Sequence, residues 1–347
     1  MLTVYEINQN EEWDKVVTSF ADHDVYWLSG YVKAFQIHGD GVPLLFFYED
    51  SHVRGINVVM KRDIAEFPPF QGHIVPGQLY DFSTPYGYGG WIVEGGDSTT
   101  LFNEYTTWCE EHNIVSEFVR YHPLIGNHKF SKNVYDVLPL GRTVAMDLRS
   151  PDVIWENITS KNRNVIRKAQ KNNVRIFNGS SPELYESFRQ LYNGTMDRDD
   201  AASYYYFGPA FYESIYRDLN QNARLFYAVY EEKLIAASII LTAGDKMNYH
   251  LSGSLREFSA LAPTNLLLYE AALWGSKNGF VTFHLGGGLG SQEDSLFKFK
   301  KAFYRLEESL PTFHIGRKIL NQAQYNQLVA MRADIPEDNG FFPAYRA

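Results

Sequence analysis

Tyr249-His250-Leu251-Ser252-Gly253-Ser254, Ala262-Pro263-Thr264-Asn265-Leu266-Leu267-Leu268, Gly286-Gly287-Gly288 and Phe297-Lys298-Phe299-Lys300-Lys301-Ala302-Phe303 follow one another within one run, Lys246 to Phe303. The run reads as strand, helix, strand, glycine loop and basic-aromatic helix. That order can hold an anionic acyl donor beside an amine acceptor. Ahead of it, Leu225 to Tyr230, a turn at Glu231-Glu232 and Leu234 to Leu241 read as a hairpin. Residues 43–49 and 53–60 form a similar pair around Asp50-Ser51. In both halves the hairpin precedes a strand, a helix and another strand. This repeat of element order predicts two similar α/β (α+β) domains, each a mixed central sheet flanked by helices.

The first domain is placed at 1–141 and the second at 142–314, with a tail, 315–347, expected to pack back on the first. Within the first, 27–39 and 101–113 read as helices, 114–121 as a strand, and 67–96 as an irregular Pro/Gly/aromatic stretch. In the second, Ser150-Pro151 opens a helix running to about Asn173, followed by a strand at 174–177 and helices at 184–196 and 209–219. The tail is helix-prone from Arg317 to Met331.

A length of 347 residues suits two domains, and 45% hydrophobic with 21% charged residues is a globular composition. A net charge of −9 argues against gripping long nucleic acid through the whole surface, although a local basic patch can still hold a phosphate or an RNA end. The lone Cys109 excludes an intrachain disulfide and a cysteine-ligated metal site, and no metal is expected. The start, Met1-Leu2-Thr3-Val4-Tyr5-Glu6, is not a basic segment leading into an apolar core, and no run reaches about 18 apolar residues. A cytoplasmic protein without a transmembrane segment is the expectation.

Five stretches can carry chemistry. The glycine loop Gly286 to Gly290 joins a strand to a helix expected from about Ser291. That layout suits phosphate, but Glu293 and Asp294 in the first turn favour a tight turn instead. In the following helix, Leu296, Phe299 and Phe303 form the expected buried stripe, with Lys300 at its boundary and Lys301 beyond it. These lysines are either solvated or aimed into a cleft, where an ammonium can stabilise an oxyanion. Arg198, among Asp197, Asp199 and Asp200, is either ion-paired or holds an acceptor phosphate or carboxylate, with Tyr204 and its neighbours closing the pocket. Arg163, Arg167 and Lys171 form one basic edge, either hydrated or facing a polyanion. The loop around Tyr86 and Tyr88 is long, irregular and ring-rich, which suits the first domain's share of an acceptor groove. His250, with an ordinary pKa of about 6.5, is the candidate to take a proton from an amine. His284 alternates with core residues and reads as structural.

Trp155-x6-Asn162-Arg163-Asn164-x2-Arg167-Lys168-Ala169, Tyr192-x2-Thr195-Met196-x-Arg198, Pro263-x-Asn265-Leu266-Leu267 and Phe299-Lys300-Lys301-x-Phe303, in this order, resemble the Fem-type peptidoglycan aminoacyltransferases and their GNAT acyltransferase relatives. Tyr86-Gly87-Tyr88-Gly89-Gly90 is similar too. The resemblance implies two tandem GNAT-like domains and transfer of an acyl or aminoacyl group to an amine of a cell-wall precursor. It implies that Lys300, with the Phe299-Lys300 backbone, works at the transfer centre and that Arg198 holds acceptor phosphate. Arg163, Arg167, Asn265 and Lys301 fall on the donor side; Arg198, Tyr204, Tyr86 and Tyr88 fall on the acceptor side. The donor is a substrate, acyl-CoA or aminoacyl-tRNA, with no tightly bound cofactor expected; the acceptor is a peptidyl precursor or a small molecule. The pyrophosphate signature of coenzyme A users, Arg/Gln-x-x-Gly-x-Gly/Ala, is replaced by Leu261-Ala262-Pro263-Thr264-Asn265. The long charged helical hairpin that some Fem-type members use for tRNA is also missing. An N-acyltransferase acting on a sugar amine or small metabolite, and a non-catalytic twin-domain binder, are the alternatives.

Overall fold

In the computed structural model, which describes residues 1–332 and 340–347, the chain divides into two units. One comprises Met1–Leu140 and Phe313–Ala347, the other Gly141–Thr312. Of the expected tail, positions 333–339 lie outside the described residues.

The first unit begins with β1 (Leu2–Glu6), α1 (Asn10–Thr18) and α2 (Ser29–His38), then the hairpin of β2 (Val42–Glu49) and β3 (Val53–Asp63). β4 (Tyr80–Ser83), β5 (Ile92–Gly95), α3 (Thr99–Glu111), β6 (Ile114–Arg120), α4 (His128–Ser131) and β7 (Asp136–Arg142) follow. β4 and β5 lie inside the stretch read as irregular. Each is only four residues long, too short to show an alternation, and each is a strand because β3 supplies its partners.

The second unit opens with β8 (Val144–Asp147), α5 (Pro151–Asn157) and α6 (Ser160–Lys171). The single helix expected from Ser150 to Asn173 is therefore two. Ile158 leaves the helical path, and the Thr159 hydroxyl accepts from Asn162 N, capping a new helix. β9 (Arg175–Gly179), α7 (Pro182–Arg198), α8 (Pro209–Asp218), β10 (Ala223–Tyr230), β11 (Lys233–Ala243) and β12 (Lys246–Ser254) come next. Glu231 and Glu232 both take positive φ, 47° and 61°, the backbone that a two-residue hairpin turn with the right twist requires. α9 (Pro263–Lys277), β13 (Thr282–Gly286) and α10 (Ser295–Lys301) complete the unit. The chain then returns through β14 (Thr312–Ile319) and α11 (Gln322–Ala330).

A helix was expected from Arg317 to Met331; its first three residues are strand instead. Arg317–Ile319 pair with Phe118–Ser116 of β6, a long-range ladder that local propensity does not reveal. The helix starts only after Asn321, whose side chain accepts from Gln324 N.

The sheets run β1-β2-β3-β4-β6-β14-β7, with β5 against β3, and β8-β13-β12-β11-β10-β9. Hence β1-β2-β3-β4-α3-β6 and β9-β10-β11-β12-α9-β13 repeat one plan, with one parallel seam in each, β4·β6 and β12·β13. This is a tandem α/β architecture, each unit a mixed sheet flanked by helices. In the second unit, Leu266, Leu267, Leu268, Ala271 and Ala272 of α9 bury against Phe226, Ile240, Met247 and Phe283 of the sheet. Ile154, Ile158, Ile166 and Ala169 extend that core. In the first unit Leu101, Phe102, Tyr105 and Cys109 of α3 cover the sheet. A separate cluster joins Tyr325, Leu328 and Tyr345 of the tail to Phe70 and Val115.

Candidate active site

The two parallel seams differ at their carboxyl ends, where open α/β sheets bind ligands. In the first unit the seam stays shut. After Ser83↔Phe118, Thr84 N donates to Phe118 O at 3.0 Å and Gly89 N to Arg120 O at 2.8 Å. The buried Asn127 carboxamide then donates to the carbonyls of Gly89 and Trp91 and accepts from His122 N. In the second unit only Lys246↔Thr282, Met247↔Phe283 and Asn248↔His284 pair before the strands part. The cause is local. His250 is an extra residue in β12, because Ile240 lies opposite Tyr249 while Ile239 lies opposite Leu251. Such a bulge bends its strand. On the other side Gly286 turns away at φ +78°.

Lys300 reaches this notch. Its Nζ donates to the Gly287 carbonyl at 2.6 Å and lies 5.9 Å from the centroid of the Tyr249 ring, so the ammonium spans both parted strands. The residue is only 8% exposed. Burial lowers its pKa to about 8, with the Asp294 carboxylate opposing the fall. Asp294 also caps α10, accepting from Phe297 N at 2.8 Å and Leu289 N at 3.2 Å. The glycine loop is thus a tight turn around a cap. A Cβ on Gly288 would stand 2.1 Å from Gln292 O and 2.3 Å from Asp294 Oδ1.

Several expectations need correction here. α10 starts at Ser295, not at about Ser291, because Asp294 is its cap. Its buried side is Phe297, Lys300 and Phe303, whereas Leu296 and Phe299 are half-buried. Moving the cap by a few residues rotates the inward face, which brings Lys300 in. The Phe299 and Lys300 amides lie beyond the first turn of α10, where helical amides are committed to carbonyls four residues back, so they are not spare donors. Phe299 contributes its ring instead, edge-on to Phe303 at 5.7 Å. His250 keeps some accessible surface, but desolvation pushes its pKa down to about 3. A base that weak takes a proton from an amine poorly, so the expected proton-acceptor role does not fit.

Lys301 does not join the donor side. Its Nζ bonds Glu307 at 2.6 Å, and Glu307 also receives Arg142. Arg163 and Arg167 both lie against Trp155, and Asn265 meets α6 at Asn162. Arg163 Nη1 donates to Trp155 O at 3.2 Å, and the Arg167 guanidinium lies 5.0 Å from the Trp155 ring centroid. Asn265 Nδ2 donates to Asn162 Oδ1 at 2.8 Å, which ties α9 to α6. The turn into α9 carries Ala262 at φ 50° and Pro263 at the first helical position, in place of a glycine amide cradle.

On the acceptor side, Arg198 ends α7 and donates to the Ser254 carbonyl at the end of β12, 2.9 Å away. Its Nε lies 3.4 Å from Asp199. Tyr204, 40% exposed, stands edge-on to Tyr205 and Phe207. Tyr86 and Tyr88 belong to the first unit and are half-buried in its own ring cluster. Tyr86 stacks on Phe35, and Tyr88 meets Tyr26, His122 and Phe313. Residue types alone did not single out Tyr249, the Gly287 carbonyl, or the Ser238–Ser252 hydroxyl pair, 2.9 Å apart. Tyr249 lay inside the quoted run, but only the bulge reveals where its ring stands.

Residues 160–300 match the acetyltransferase (GNAT) domain family. Among curated proteins none matches this sequence. Solved structures with a similar fold include that of FemX, 14% identical, covering 94% of this chain and 99% of that one with a TM-score of 0.69. The C-terminal domain of a putative lysylphosphatidylglycerol synthetase from Agrobacterium fabrum is 12% identical, with 94% and 96% coverage and a TM-score of 0.57. L-PGS from Bacillus licheniformis is 14% identical, with 94% and 97% coverage and a TM-score of 0.57. The second unit is therefore similar in sequence to acetyltransferase (GNAT) domains, and the chain as a whole shares its fold with these solved structures. Among the described residues no helix is long and apolar enough to cross a membrane.

Proposed function

We propose that this protein transfers an acyl or aminoacyl group to an amine of a cell-envelope precursor of the peptidoglycan type, working in the cytoplasm. The observation that carries the reading is the buried Lys300 ammonium in the opened β12·β13 seam. The neutral amine of the acceptor attacks the carbonyl carbon of an ester or thioester, forming the C–N bond. The tetrahedral oxyanion is met by Lys300 and by backbone amides of β12. Collapse breaks the C–O or C–S bond, and the amine's proton leaves with the departing ribose hydroxyl or thiol. Holding both reactants in the seam supplies a large share of the rate, on the order of 7–11 kcal/mol in favourable cases.

Arg198, at the far end of β12, is assigned to acceptor phosphate, and Tyr204 of the loop after α7 to the acceptor as well. Arg163, Arg167 and Asn265 are assigned to the donor. The architecture shared with FemX supports the cell-envelope acceptor. The proline and left-handed alanine at the start of α9 favour aminoacyl-tRNA over coenzyme A.

One observation favours a second reading, in which acyl-CoA acylates a sugar amine or small metabolite: the match of residues 160–300 to an acetyltransferase (GNAT) domain supports acyl-CoA as donor. Labelled acetyl-CoA and labelled aminoacyl-tRNA, each offered with a lysine-bearing muropeptide precursor and with a hexosamine, test both readings. Label reaching the muropeptide from tRNA supports the first, and label reaching the hexosamine from acetyl-CoA supports the second. Transfer from neither donor overturns the catalytic reading in favour of a binding protein.

A further inference from the structure

The ring that faces Lys300 is itself held. The Tyr249 phenol lies beside the hydroxyls of Ser252 and Ser238, residues that sit opposite each other on β12 and β11. The two serine hydroxyls bond each other at 2.9 Å, and Ser238 is fully buried. An uninterrupted strand alternates its faces strictly, so residues 249 and 252 would point to opposite sides. The extra residue at His250 puts both on one side and lets the phenol reach the serines. The bulge therefore opens the seam and docks the ring at its edge. Hydroxyls on a core-facing surface lose water and need such mutual bonds, and the bonded serine pair gives the phenol a fixed polar rest.

We propose that Tyr249, anchored by Ser238 and Ser252, is a positioning residue of the transfer centre: its ring is the β12-side wall against which Lys300 is set. The inference rests on the reading of Lys300 as the oxyanion partner. On the opposite side Lys300 is held by the Gly287 carbonyl, and the charged group facing it from its own helix cap is Asp294. The titratable neighbour on β12, besides the phenol, is His250. A cation within about 6 Å of a ring face is held by the ring's quadrupole, and more strongly when water is excluded. Removing the ring removes that hold, and removing only the phenol oxygen or one serine loosens the mount.

The test uses the full-length protein labelled with 13C at lysine Cε, the Lys300 signal being assigned by its loss in Lys300→Arg, with the signal followed through a pH titration. Tyr249→Leu should lower the Lys300 midpoint by about half a unit or more, while Tyr249→Phe should leave it within about 0.2 unit. With the donor that proves active, Tyr249→Leu should reduce kcat at least tenfold with KM for the acceptor unchanged. Ser252→Ala, the milder change, should reduce kcat about threefold in a protein of unchanged melting temperature. If Tyr249→Leu and Ser252→Ala both leave the midpoint and kcat in place, the inference is overturned. The parent reading fails separately, through Lys300→Ala retaining normal turnover. A folded Lys300→Ala that is inactive beside Tyr249→Leu and Ser252→Ala variants that are both fully active sinks this inference alone.

Discussion

Lys300 Nζ donates to the carbonyl of Gly287 at 2.6 Å, so a helix that begins at residue 295 pins its own lysine to the loop that precedes it. The contact closes a short circuit of loop, cap and helix around Asp294. It presents a cation where the two parallel strands separate.

Lys300→Ala should lower turnover by about 10²-fold or more, as loss of an oxyanion donor does in other sites, with the fold retained. The measurement is kcat with the active donor beside circular dichroism. Near-normal turnover in a folded variant rejects the assignment.

In the proposed transfer the charged form of Lys300 is the working form, and burial holds its pKa at about 8. Activity should therefore fall as pH rises through about 8. The stability effect has the opposite sense. Between about pH 8 and the ordinary lysine range the unfolded chain binds the extra proton, so this group's contribution to stability rises with pH. Lys300→Met removes the cost of burying the charge and should stabilise the protein by about 1–3 kcal/mol at pH 7, with the gain shrinking above pH 8. Denaturant titrations at pH 7 and pH 9.5 check it, and an equal effect at both refutes the linkage.

Gly288→Ala puts a methyl group 2.1 Å from a backbone oxygen and 2.3 Å from the capping carboxylate. The cap must move, at a cost of about 1–2 kcal/mol, and Lys300 moves with it. The melting temperature and kcat should fall together. An unchanged kcat in a destabilised protein shows that the loop does not set the lysine.

Arg198→Ala should raise KM for a phosphate-bearing acceptor about tenfold with little change in kcat. The residue also ties α7 to Ser254, so the melting temperature falls in either case. KM separates the two roles, because a purely structural Arg198 leaves it unchanged.

In the first unit Glu117 is fully buried, accepting from Tyr135 at 2.6 Å, Tyr105 at 3.0 Å and Asn57 at 3.1 Å. Burial raises its pKa, and the hydrogen bonds and Lys318 oppose that rise. A raised carboxyl pKa means the folded state binds the proton more tightly, so this group's contribution falls as pH rises through the ordinary carboxylate range. Glu117→Gln should compare more favourably with the unchanged protein at pH 7 than at pH 4. Equal differences in unfolding free energy at the two values contradict this.

Much of the fold was legible because its signals are local. The alternation in Leu225–Tyr230 and Leu234–Leu241 marks a hairpin whatever surrounds it. The order of hairpin, strand, helix and strand, met twice, exposes the repeat. What failed lay at boundaries set by single hydrogen bonds or distant partners: the cap at Thr159, the four-residue β4 and β5, and the last three residues of β14, expected as helix.

From the sequence alone came the α/β plan, its duplication, and the run in which the candidate chemistry lies, since periodicity and turn residues act over a few neighbours. Tertiary structure alone decided that the β12·β13 seam opens while β4·β6 stays shut, that Lys300 is buried against the Gly287 carbonyl, and that Lys301 pairs with Glu307. The reason is physical. An inward face, a strand bulge and a desolvated ammonium are set by what packs against them, and no residue carries that information by itself.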